Sequence, residues 1–258
     1  MPKKTIFAEQ RRNEILEFIQ NKGMATVDEL CKIYSVSNAT IRADLCALDS
    51  KSLIQRTHGG AISLNNSSYE LTSSEKEDQF LDSKVAIGNK ALEFIKDGDC
   101  ILLDTGTTIL QLAKQLKGFK NLTVFVYDLK IALVLEEIGI DNIVFLGGNI
   151  RNNFHCTYGT KLINEINNYH FDKCFIATNG VSINRGLSTA NLNVANIKSA
   201  IIKNSSKVIA LFDSSKINHE ATISFSSLKD IDIIITDKHI KNSDYTKIKK
   251  IVNKVFKA

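Results

Sequence analysis

Residues 36–48 read Val-Ser-Asn-Ala-Thr-Ile-Arg-Ala-Asp-Leu-Cys-Ala-Leu, and their apolar residues recur at helical spacing. Ile41, Leu45 and Leu48 follow the i, i+4, i+7 pattern of a helix that buries one narrow face. Ser37 stands just before this pattern, where a serine side chain can accept a hydrogen bond from a free backbone N–H group. The stretch therefore predicts a short amphipathic helix that begins after Ser37.

Two further helical patterns precede this helix, at Ile15–Ile19 and at Val27–Tyr34. Between them, Asn21-Lys22-Gly23 fits a helix end closed by glycine. A tight turn joins the second pattern to the third helix, as is typical of a helix-turn-helix. Two short apolar segments then flank the turn Thr57-His58-Gly59-Gly60-Ala61, which predicts a two-stranded wing. We therefore predict a winged helix-turn-helix domain over residues 1–62.

The outward face of the third helix is small and nearly uncharged. If Ile41 and Leu45 point inward, then Ala39, Ala43 and Cys46 point outward. An ordinary solvated helix carries more lysine and glutamate, whereas small side chains allow a helix to lie deep in the major groove of DNA. We therefore predict double-stranded operator DNA as a partner, contacted by Ser37, Asn38, Ala39, Thr40, Arg42 and Ala43 of the helix and by Arg56 and His58 of the wing.

Beyond this domain the composition changes. Residues 63–78 are polar and rich in serine and asparagine, which predicts a linker. Apolar strand patterns then alternate with helical patterns over residues 79–258, and this alternation predicts an α/β domain with a mostly parallel sheet. The predicted strands are 100–104, 122–127, 142–146, 172–177, 207–211 and 231–235, and the predicted helices lie near 83–95, 107–117, 130–138, 193–204 and 245–254.

The first of these strands ends in the turn Asp104-Thr105-Gly106-Thr107-Thr108. Backbone N–H groups and hydroxyls at such a strand-to-helix turn can bind a phosphate, and the helix dipole favours the anion. Ligands of parallel sheets usually lie at the carboxyl ends of the strands, where Gly147, Gly148 and Lys216 are also expected. We predict that these residues bind an effector, with its phosphate at Thr105, Gly106, Thr107 and Thr108 and with Lys216 supplying the positive charge. The structural alternative stays open, because threonine also caps helices and lysine is common on surfaces.

Residues 11–61 resemble the N-terminal domain of the DeoR family of transcriptional regulators. The family pattern reads approximately Val-Ser-x-x-Thr-Ile-Arg-Arg-Asp-Leu for the helix and Leu-x-Arg-x-His-Gly-Gly-Ala for the wing. The matching residues here are Val36-Ser37-Asn38-Ala39-Thr40-Ile41-Arg42-Ala43-Asp44-Leu45 and Ile54-Gln55-Arg56-Thr57-His58-Gly59-Gly60-Ala61. Ala43 stands in place of the family's second arginine. The resemblance implies a DNA-binding regulator, with repression as the usual mode.

Residues 70–240 resemble the effector domain of the same family. The motifs that carry the resemblance are Asp104-x-Gly106-Thr107-Thr108, Leu146-Gly147-Gly148, Phe171-Asp172, Gly180-Val181, Gly186-Leu187-Ser188-Thr189 and Asp213-x-Ser215-Lys216. The resemblance implies a fold related to ribose-5-phosphate isomerase and a response to sugar phosphates. Two departures are Tyr127-Asp128, where relatives usually have Thr-Asn, and Val194 in place of a glutamate. Asp128 therefore joins the candidate effector-binding residues.

The composition of the 258 residues, 43% hydrophobic and 24% charged, is that of an ordinary globular protein. We find no targeting segment and no apolar run near the roughly 20 residues of a membrane helix, and we expect a soluble cytoplasmic protein. Cysteines at 31, 46, 100, 156 and 174 form no C-x-x-C pair, which predicts reduced core thiols rather than a metal or cofactor site. The net charge of +5 favours an anionic partner.

A short recognition helix reads few base pairs, so we predict a homo-oligomer, a dimer or a tetramer, formed through residues 79–258. The main alternative function is a sugar-phosphate isomerase with an appended DNA-binding domain. Such an enzyme would need a carboxylate base, for which Asp128 and Asp172 are the candidates. Control by histidine phosphorylation is a weaker alternative, because the five histidines form no regulatory module. We predict a repressor of a carbohydrate operon, modulated by a phosphorylated sugar, and not an enzyme.

Overall fold

A computed structural model describes residues 7–51, 53–57, 59–63 and 70–258. The chain forms two compact units, Met1–Leu71 and Thr72–Ala258. Three helices and three strands make up the described part of the first unit: α1 (Ala8–Lys22), β1 (Met24–Thr26), α2 (Val27–Tyr34), α3 (Asn38–Ser50), β2 (Ile54–Thr57) and β3 (Gly60–Ser63).

The apolar stripes of the three helices form one core. Ile15 and Ile19 of α1, Leu30 of α2, and Ile41 and Leu45 of α3 are all buried in it. Gly23, with φ 86°, follows the last residue of α1. The Ser37 hydroxyl caps α3, because it accepts a hydrogen bond from the Thr40 N–H group, 3.2 Å away. The three predicted helices are therefore confirmed, as are the predicted end of the first and the predicted start of the third.

The sheet of the first unit has three strands, whereas the sequence predicted two. β2 and β3 form the predicted wing, and β1 pairs with the other side of β3, so that Met24 faces Ile62 across the ladder. A three-residue strand is too short to show an alternating pattern, which is why β1 could not be predicted.

The second unit contains the other elements: α4 (Ser73–Glu77), α5 (Leu81–Leu92), β4 (Cys100–Leu103), α6 (Thr107–Ala113), β5 (Thr123–Val126), α7 (Leu129–Glu137), β6 (Asn142–Phe145), β7 (Asn149–Arg151), β8 (Cys156–Tyr158), α8 (Thr160–Ile166), β9 (Lys173–Ala177), β10 (Gly180–Ser182), β11 (Gly186–Thr189), α9 (Leu192–Lys203), β12 (Val208–Leu211), β13 (Ile223–Ser226), β14 (Ile233–Thr236), α10 (Asn242–Lys249) and β15 (Lys254–Lys257). One-turn 3-10 helices lie at Ser214–Lys216 and Leu228–Asp230.

Seven strands form one parallel sheet in the order β15-β14-β12-β9-β4-β5-β6. Apolar side chains of α5, α6 and α7 pack on one face, and those of α8, α9 and α10 pack on the other. The predicted α/β class is therefore confirmed. Two smaller antiparallel sheets, β10-β11-β13 and β7-β8, had no signal that we recognised in the sequence.

The two outer strands of the large sheet differ in charge. On β15, Lys254 and Lys257 are exposed. On β6, which reads Asn-Ile-Val-Phe, the end residues Asn142 and Phe145 are exposed and none of the four is charged. None of the helices in the described ranges is both long enough and apolar enough to cross a membrane.

The structure corrects two further predictions. Ser73–Glu77, inside the predicted linker, forms α4 because Thr72 and Glu75 make a capping box that satisfies the first free N–H groups. Near the C-terminus, the predicted helix 245–254 ends at Lys249, and Lys254–Lys257 form β15 instead. The spacing of Ile248, Ile251, Val252 and Val255 is helical. Pairing with β14 nevertheless gives residues 254–257 the conformation of a strand.

Candidate functional site

Six of the seven parallel strands are followed by loops that meet at one edge of the sheet, the carboxyl edge. Four aspartates stand just after these strands and are almost completely buried: Asp104 after β4, Asp128 after β5, Asp213 after β12 and Asp237 after β14. Buried carboxylates must be compensated by hydrogen bonds or positive charges. Their partners therefore determine which parts of this edge are available to a ligand.

The turn between β4 and α6 has the geometry of an anion cradle. Gly106 has φ 121° and ψ 165°, a backbone conformation that is essentially restricted to glycine. Within the described chain, no side chain caps the start of α6, which begins with the buried residues Thr107 and Thr108. The first N–H groups of a helix have no partner inside the helix, so they can donate to an anion.

Asp128 lies next to this turn and engages its donors, the Thr105 hydroxyl and the Gly106 N–H group. Its carboxylate accepts a hydrogen bond from the Thr105 hydroxyl at 2.6 Å and caps α7 by accepting from the N–H groups of Lys130 and Ile131 at 2.9 and 3.2 Å. Burial raises the pKa of Asp128 above its ordinary value, and these hydrogen bonds offset part of the effect. Thr105 and Asp128 thus form a wall of the cradle.

Asp104 lies beneath the cradle, with 0% of its surface exposed. Its carboxylate accepts hydrogen bonds from the Tyr127 hydroxyl, from the Lys198 ammonium and, at 2.8 Å, from the Ala177 N–H group. Burial and the neighbouring Asp104 raise the pKa of Tyr127 well above its ordinary value, so the phenol remains a donor. The carboxylate already has three donors, and its place is in the floor of the site.

The carboxyl edge also holds a lysine that the sequence analysis did not select. Lys84 of α5 is 3% exposed, and its ammonium donates to the backbone carbonyl of Lys76. Burial lowers the pKa of Lys84 to about 8, and repulsion from Lys216 adds to this effect, whereas attraction to Asp213 opposes it. The charges of Lys216 and Asp213 therefore both act on Lys84.

The charges of both lysines also act on Asp213, whose carboxylate accepts hydrogen bonds from the Ser215 N–H group and hydroxyl. Burial alone would raise the pKa of Asp213, but Lys216, the hydrogen bonds from Ser215 and the charge of Lys84 outweigh burial and lower it. A second buried carboxylate lies beside it, because Asp237 accepts a hydrogen bond from the Ser214 N–H group at 3.1 Å. The two lysines and the two aspartates of this part of the edge are therefore equal in number.

Close packing of α5 against α6 brings Lys84 to the cradle. A Cβ atom on Gly88 would lie 2.9 Å from the backbone nitrogen of Leu112, so this position on α5 accepts no side chain. Gly88 and Leu112 each lie between one and two turns from the start of their helices. The starts of α5 and α6 are therefore neighbours, and Lys84 lies one turn before Gly88.

The predicted residues Gly147 and Gly148 lie farther away. They follow β6, and four inter-strand spacings separate β6 from β12, which precedes Lys216. At about 4.8 Å for each spacing the separation is about 19 Å, too far for one phosphate to reach both. Close packing also explains why position 148 is a glycine, since a Cβ atom there would lie 2.7 Å from the Tyr158 carbonyl oxygen of β8.

The two candidate carboxylates of the isomerase alternative have structural partners. Asp172 precedes β9 and accepts a hydrogen bond from the Cys100 N–H group at the start of β4, 2.8 Å away. It therefore lies at the amino edge of the sheet, opposite the cradle. Asp128 caps α7, as described above, and the isomerase alternative is not favoured. Within the described chain, no group of three histidine, cysteine, aspartate or glutamate side chains is placed to hold a metal ion.

The face of α3 has the composition that the sequence predicted. Asn38, Ala39, Arg42, Ala43 and Cys46 are exposed. In the described ranges, no hydrogen bond or ion pair of the protein holds the Arg42 guanidinium. This group is thus available to a partner.

Other predicted DNA-contacting residues also have structural roles. The Ser37 hydroxyl lies 2.9 Å from the Thr40 hydroxyl, and the Asn38 side-chain oxygen lies 2.8 Å from the Cys31 sulfur. Arg56 of the wing donates to the Cys46 sulfur at 2.7 Å and so connects β2 to α3. His58, predicted at the wing, lies outside the described residues.

One feature of the first unit was missed from the sequence. Asp44 on α3 is 1% exposed and receives the Nε groups of two arginines of α1, Arg11 at 2.6 Å and Arg12 at 2.9 Å. This pair of contacts fixes α3 against α1. The exposed face of α3 is therefore presented by a rigid helix, as recognition in a groove requires.

Two family models match the chain over most of its length. Residues 11–67 match the DeoR-like helix-turn-helix domain. Residues 79–238 match the DeoR C terminal sensor domain.

This chain belongs to the DeoR family of transcriptional regulators.

Curated relatives match this DeoR-family chain over most of its length. The HTH-type transcriptional regulator GolR of Listeria innocua is 32% identical over 242 residues, which are 94% of this chain and 95% of GolR. The HTH-type transcriptional repressor GlcR of Bacillus subtilis is 31% identical over 90% of both chains. A putative aga operon transcriptional repressor of Escherichia coli O157:H7 is 28% identical over 90% of this chain and 87% of its own.

A solved structure aligns with about half of this DeoR-family chain. Ribose 5-phosphate isomerase A from Methanocaldococcus jannaschii aligns with 53% of this chain and 54% of its own, with 18% identity and a TM-score of 0.40. This likeness is too slight to bear on function.

Two site residues of this DeoR-family regulator, Lys84 and Lys198, had a signal in the sequence that we did not use. Lys84 shares a helical stripe with the buried residues Ile87 and Ala91, and Lys198 follows the buried Ile197 and precedes Ile201. A lysine at a core-facing position of an amphipathic helix requires a buried partner. That rule would have selected both lysines.

Proposed function

We propose that this regulator represses a carbohydrate-utilisation operon and that a phosphorylated sugar, bound at the carboxyl edge of the second unit, modulates its affinity for operator DNA. The names of its relatives support this proposal, since they include repressors, one of them a lactose phosphotransferase system repressor of Staphylococcus epidermidis. The sensor-domain match over residues 79–238 supports a ligand-binding role for the second unit.

The observation that carries the effector site is the uncapped start of α6 behind the Gly106 turn. The charges of Lys84 and Lys216 both act on Asp213 at the same edge of the sheet. We place the phosphate at Gly106, Thr107 and Thr108, where the helix N–H groups can donate to it, and we propose that Lys84 and Lys216 supply the positive charge. Asp104 and Tyr127 then act as positioning residues, because their polar groups bond to each other beneath the turn.

The sugar would extend from the phosphate toward Thr105 and Asp128. Asp128 is acceptor-only when ionised, so it suits a sugar hydroxyl rather than a second anion. Gly147 and Gly148 lie on the same side of the site as Asp128 in the sheet order, and they remain candidates for the far end of the ligand.

Calorimetric titration of the full-length chain with a panel of phosphorylated sugars and the corresponding free sugars tests this proposal. At least one phosphorylated sugar should bind, and its free counterpart should bind far more weakly, because the lysines and helix N–H groups recognise the phosphate. Equal affinity for a sugar and its phosphate would contradict the site.

Arg42→Ala should weaken operator binding. A bidentate contact from arginine to a base is worth about 1–3 kcal/mol, so a loss of roughly 5- to 150-fold in DNA affinity is expected. The measurement is a binding titration on the DNA that the wild-type chain selects from a random pool. We propose that two or four chains bind each operator, and the same titration reports this stoichiometry. Ala47→Ser, a half-buried position of the same helix, serves as the control. Unchanged affinity of Arg42→Ala would remove Arg42 from the DNA-reading surface.

Effector affinity should fall as the pH rises above about 8, the pKa of Lys84 in the free protein. A bound phosphate raises that pKa, so above pH 8 binding must take up a proton, and the affinity approaches a tenfold loss for each pH unit. The heat of binding at pH 8.5 should then depend on the ionisation enthalpy of the buffer. Lys84→Arg, which stays charged, should remove the alkaline fall, and a fall that persists in this variant would assign it to another group.

A further inference from the structure

The short helix α4 is held in place from outside. One turn of helix is not stable by itself in water. Its capping box contributes one hydrogen bond from the Thr72 N–H group to the Glu75 carboxylate at 2.9 Å and one from the Glu75 N–H group to the Thr72 hydroxyl at 3.3 Å. The order of α4 therefore depends on its bonds to the rest of the second unit.

Bonds of this kind are present at both ends of α4. At its start, the Ser73 N–H group and hydroxyl donate to the backbone oxygens of Asn153 at 3.1 Å and Phe154 at 3.3 Å. At its end, the Glu77 carboxylate pairs with the Lys130 ammonium at 2.6 Å, and the Lys84 ammonium donates to the Lys76 carbonyl. Both bonds at the end of α4 come from residues beside the proposed effector site.

We propose that Lys84 bridges the effector and α4. Its ammonium donates to the phosphate and to the Lys76 carbonyl at the same time, so effector binding fixes α4. This inference rests on the proposed effector site. An ammonium has three N–H donors. The Lys76 carbonyl takes one of them in the described chain, and two remain for an anion.

The sign of the coupling follows from the charge of Lys84. Without an anion, the amine is buried near Lys216 and its pKa is lowered to about 8, so the neutral form is populated at mildly alkaline pH. A bound phosphate keeps the amine protonated and in place, and a charged donor forms the stronger hydrogen bond to a carbonyl. By linkage, a well-ordered α4 also strengthens phosphate binding by the same factor.

The position of α4 in the chain gives the bridge a regulatory meaning. β3 of the first unit ends at Ser63, and α4 begins at Ser73. Fixing α4 therefore fixes the point at which the chain enters the second unit. The state of the effector site is in this way transmitted toward the DNA-binding unit by a covalent connection.

Hydrogen–deuterium exchange of the full-length chain, with and without inorganic phosphate, tests the bridge. Phosphate should slow exchange at residues 73–78 by about 5- to 150-fold, the range of typical coupling between sites. In Lys84→Met, exchange there should be fast and insensitive to phosphate. Lys76→Ala keeps the backbone acceptor and should retain the response. Glu77→Gln weakens the ion pair between Glu77 and Lys130 at the end of α4. Exchange at residues 73–78 should then be faster than in the wild type but still slowed by phosphate.

The outcomes separate the bridge from the site on which it rests. Thermal stabilisation of the wild-type chain by phosphate reports binding independently of α4. Stabilisation with unchanged or faster exchange at residues 73–78 would overturn the bridge and leave the effector site standing. A wild-type chain that phosphate neither stabilises nor protects would overturn both. Because the wild type alone decides between these outcomes, the test does not depend on the folding of Lys84→Met.

Discussion

Gly106→Asp should abolish the binding of phosphorylated sugars to the full-length chain. The new carboxylate would lie beside the first N–H groups of α6, where the phosphate is proposed to bind, and the two anions would repel each other. At 4 Å in a partly buried site this repulsion is about 4 kcal/mol, equivalent to a loss of roughly 1000-fold in affinity. Calorimetric titration with the phosphorylated sugar that the wild type binds best measures the effect.

Gly106→Asn separates charge from backbone strain. Asparagine has nearly the same shape as aspartate and suffers the same strain at φ 121°, but it is neutral. It should therefore retain much more affinity than the aspartate variant. Equal losses in both variants would assign the effect to the backbone, and unchanged binding by Gly106→Asp would place the phosphate elsewhere. Both variants should bind operator DNA normally in the absence of effector, because the first unit is a separate compact body.

Lys198→Ala should lower the free energy of unfolding by about 3–5 kcal/mol. Lys198 is 3% exposed, and its ammonium pairs with the fully buried Asp104 and donates to the Ala177 carbonyl at 2.9 Å. Without the lysine, the Asp104 carboxylate would remain buried with two donors and no positive charge. Urea denaturation followed by circular dichroism measures the change.

Two further variants test whether the lost ion pair causes this destabilisation. Lys203→Ala removes an exposed lysine from the same helix and should change the free energy of unfolding by less than about 0.5 kcal/mol. The double variant Asp104→Asn, Lys198→Met removes both charges and should recover most of the loss, because a buried ion pair is often no more stabilising than a neutral replacement. A loss below 1 kcal/mol in Lys198→Ala would show that Asp104 is not dependent on this lysine.

Local patterns were enough to predict most of the architecture. The apolar spacing around Ile41 and Ile15 predicted the helices of the first unit, and the alternation of strands and helices predicted the parallel sheet, because both signals come from residues near each other in the chain. The cysteines were predicted less well. Cys156 and Cys174 are buried, but Cys46 is exposed on α3.

Features that depend on distant residues could not be predicted in the same way. The sequence indicated the Gly106 turn, but the order of the strands decides which loops lie beside it. That order places β12 two strands from β4 on one side and β6 two strands away on the other. Lys216 and Gly147 could therefore be placed at the correct edge but not at the correct distance. Lys84 depends on helix packing at Gly88, which no local pattern records.

The unequal outer strands of the large sheet limit how copies of this chain can join. A sheet with two receptive edges can add copies without end, edge to opposite edge, and grow into a fibre. Here the exposed lysines of β15 oppose strand pairing on one side, whereas β6 carries no charge. A second copy could then add to the sheet only at β6. If β6 of one chain paired with β6 of a second chain, the two outermost strands of the joined sheet would both be β15 strands with exposed lysines. We propose that assembly through this sheet, if it occurs, stops at two chains.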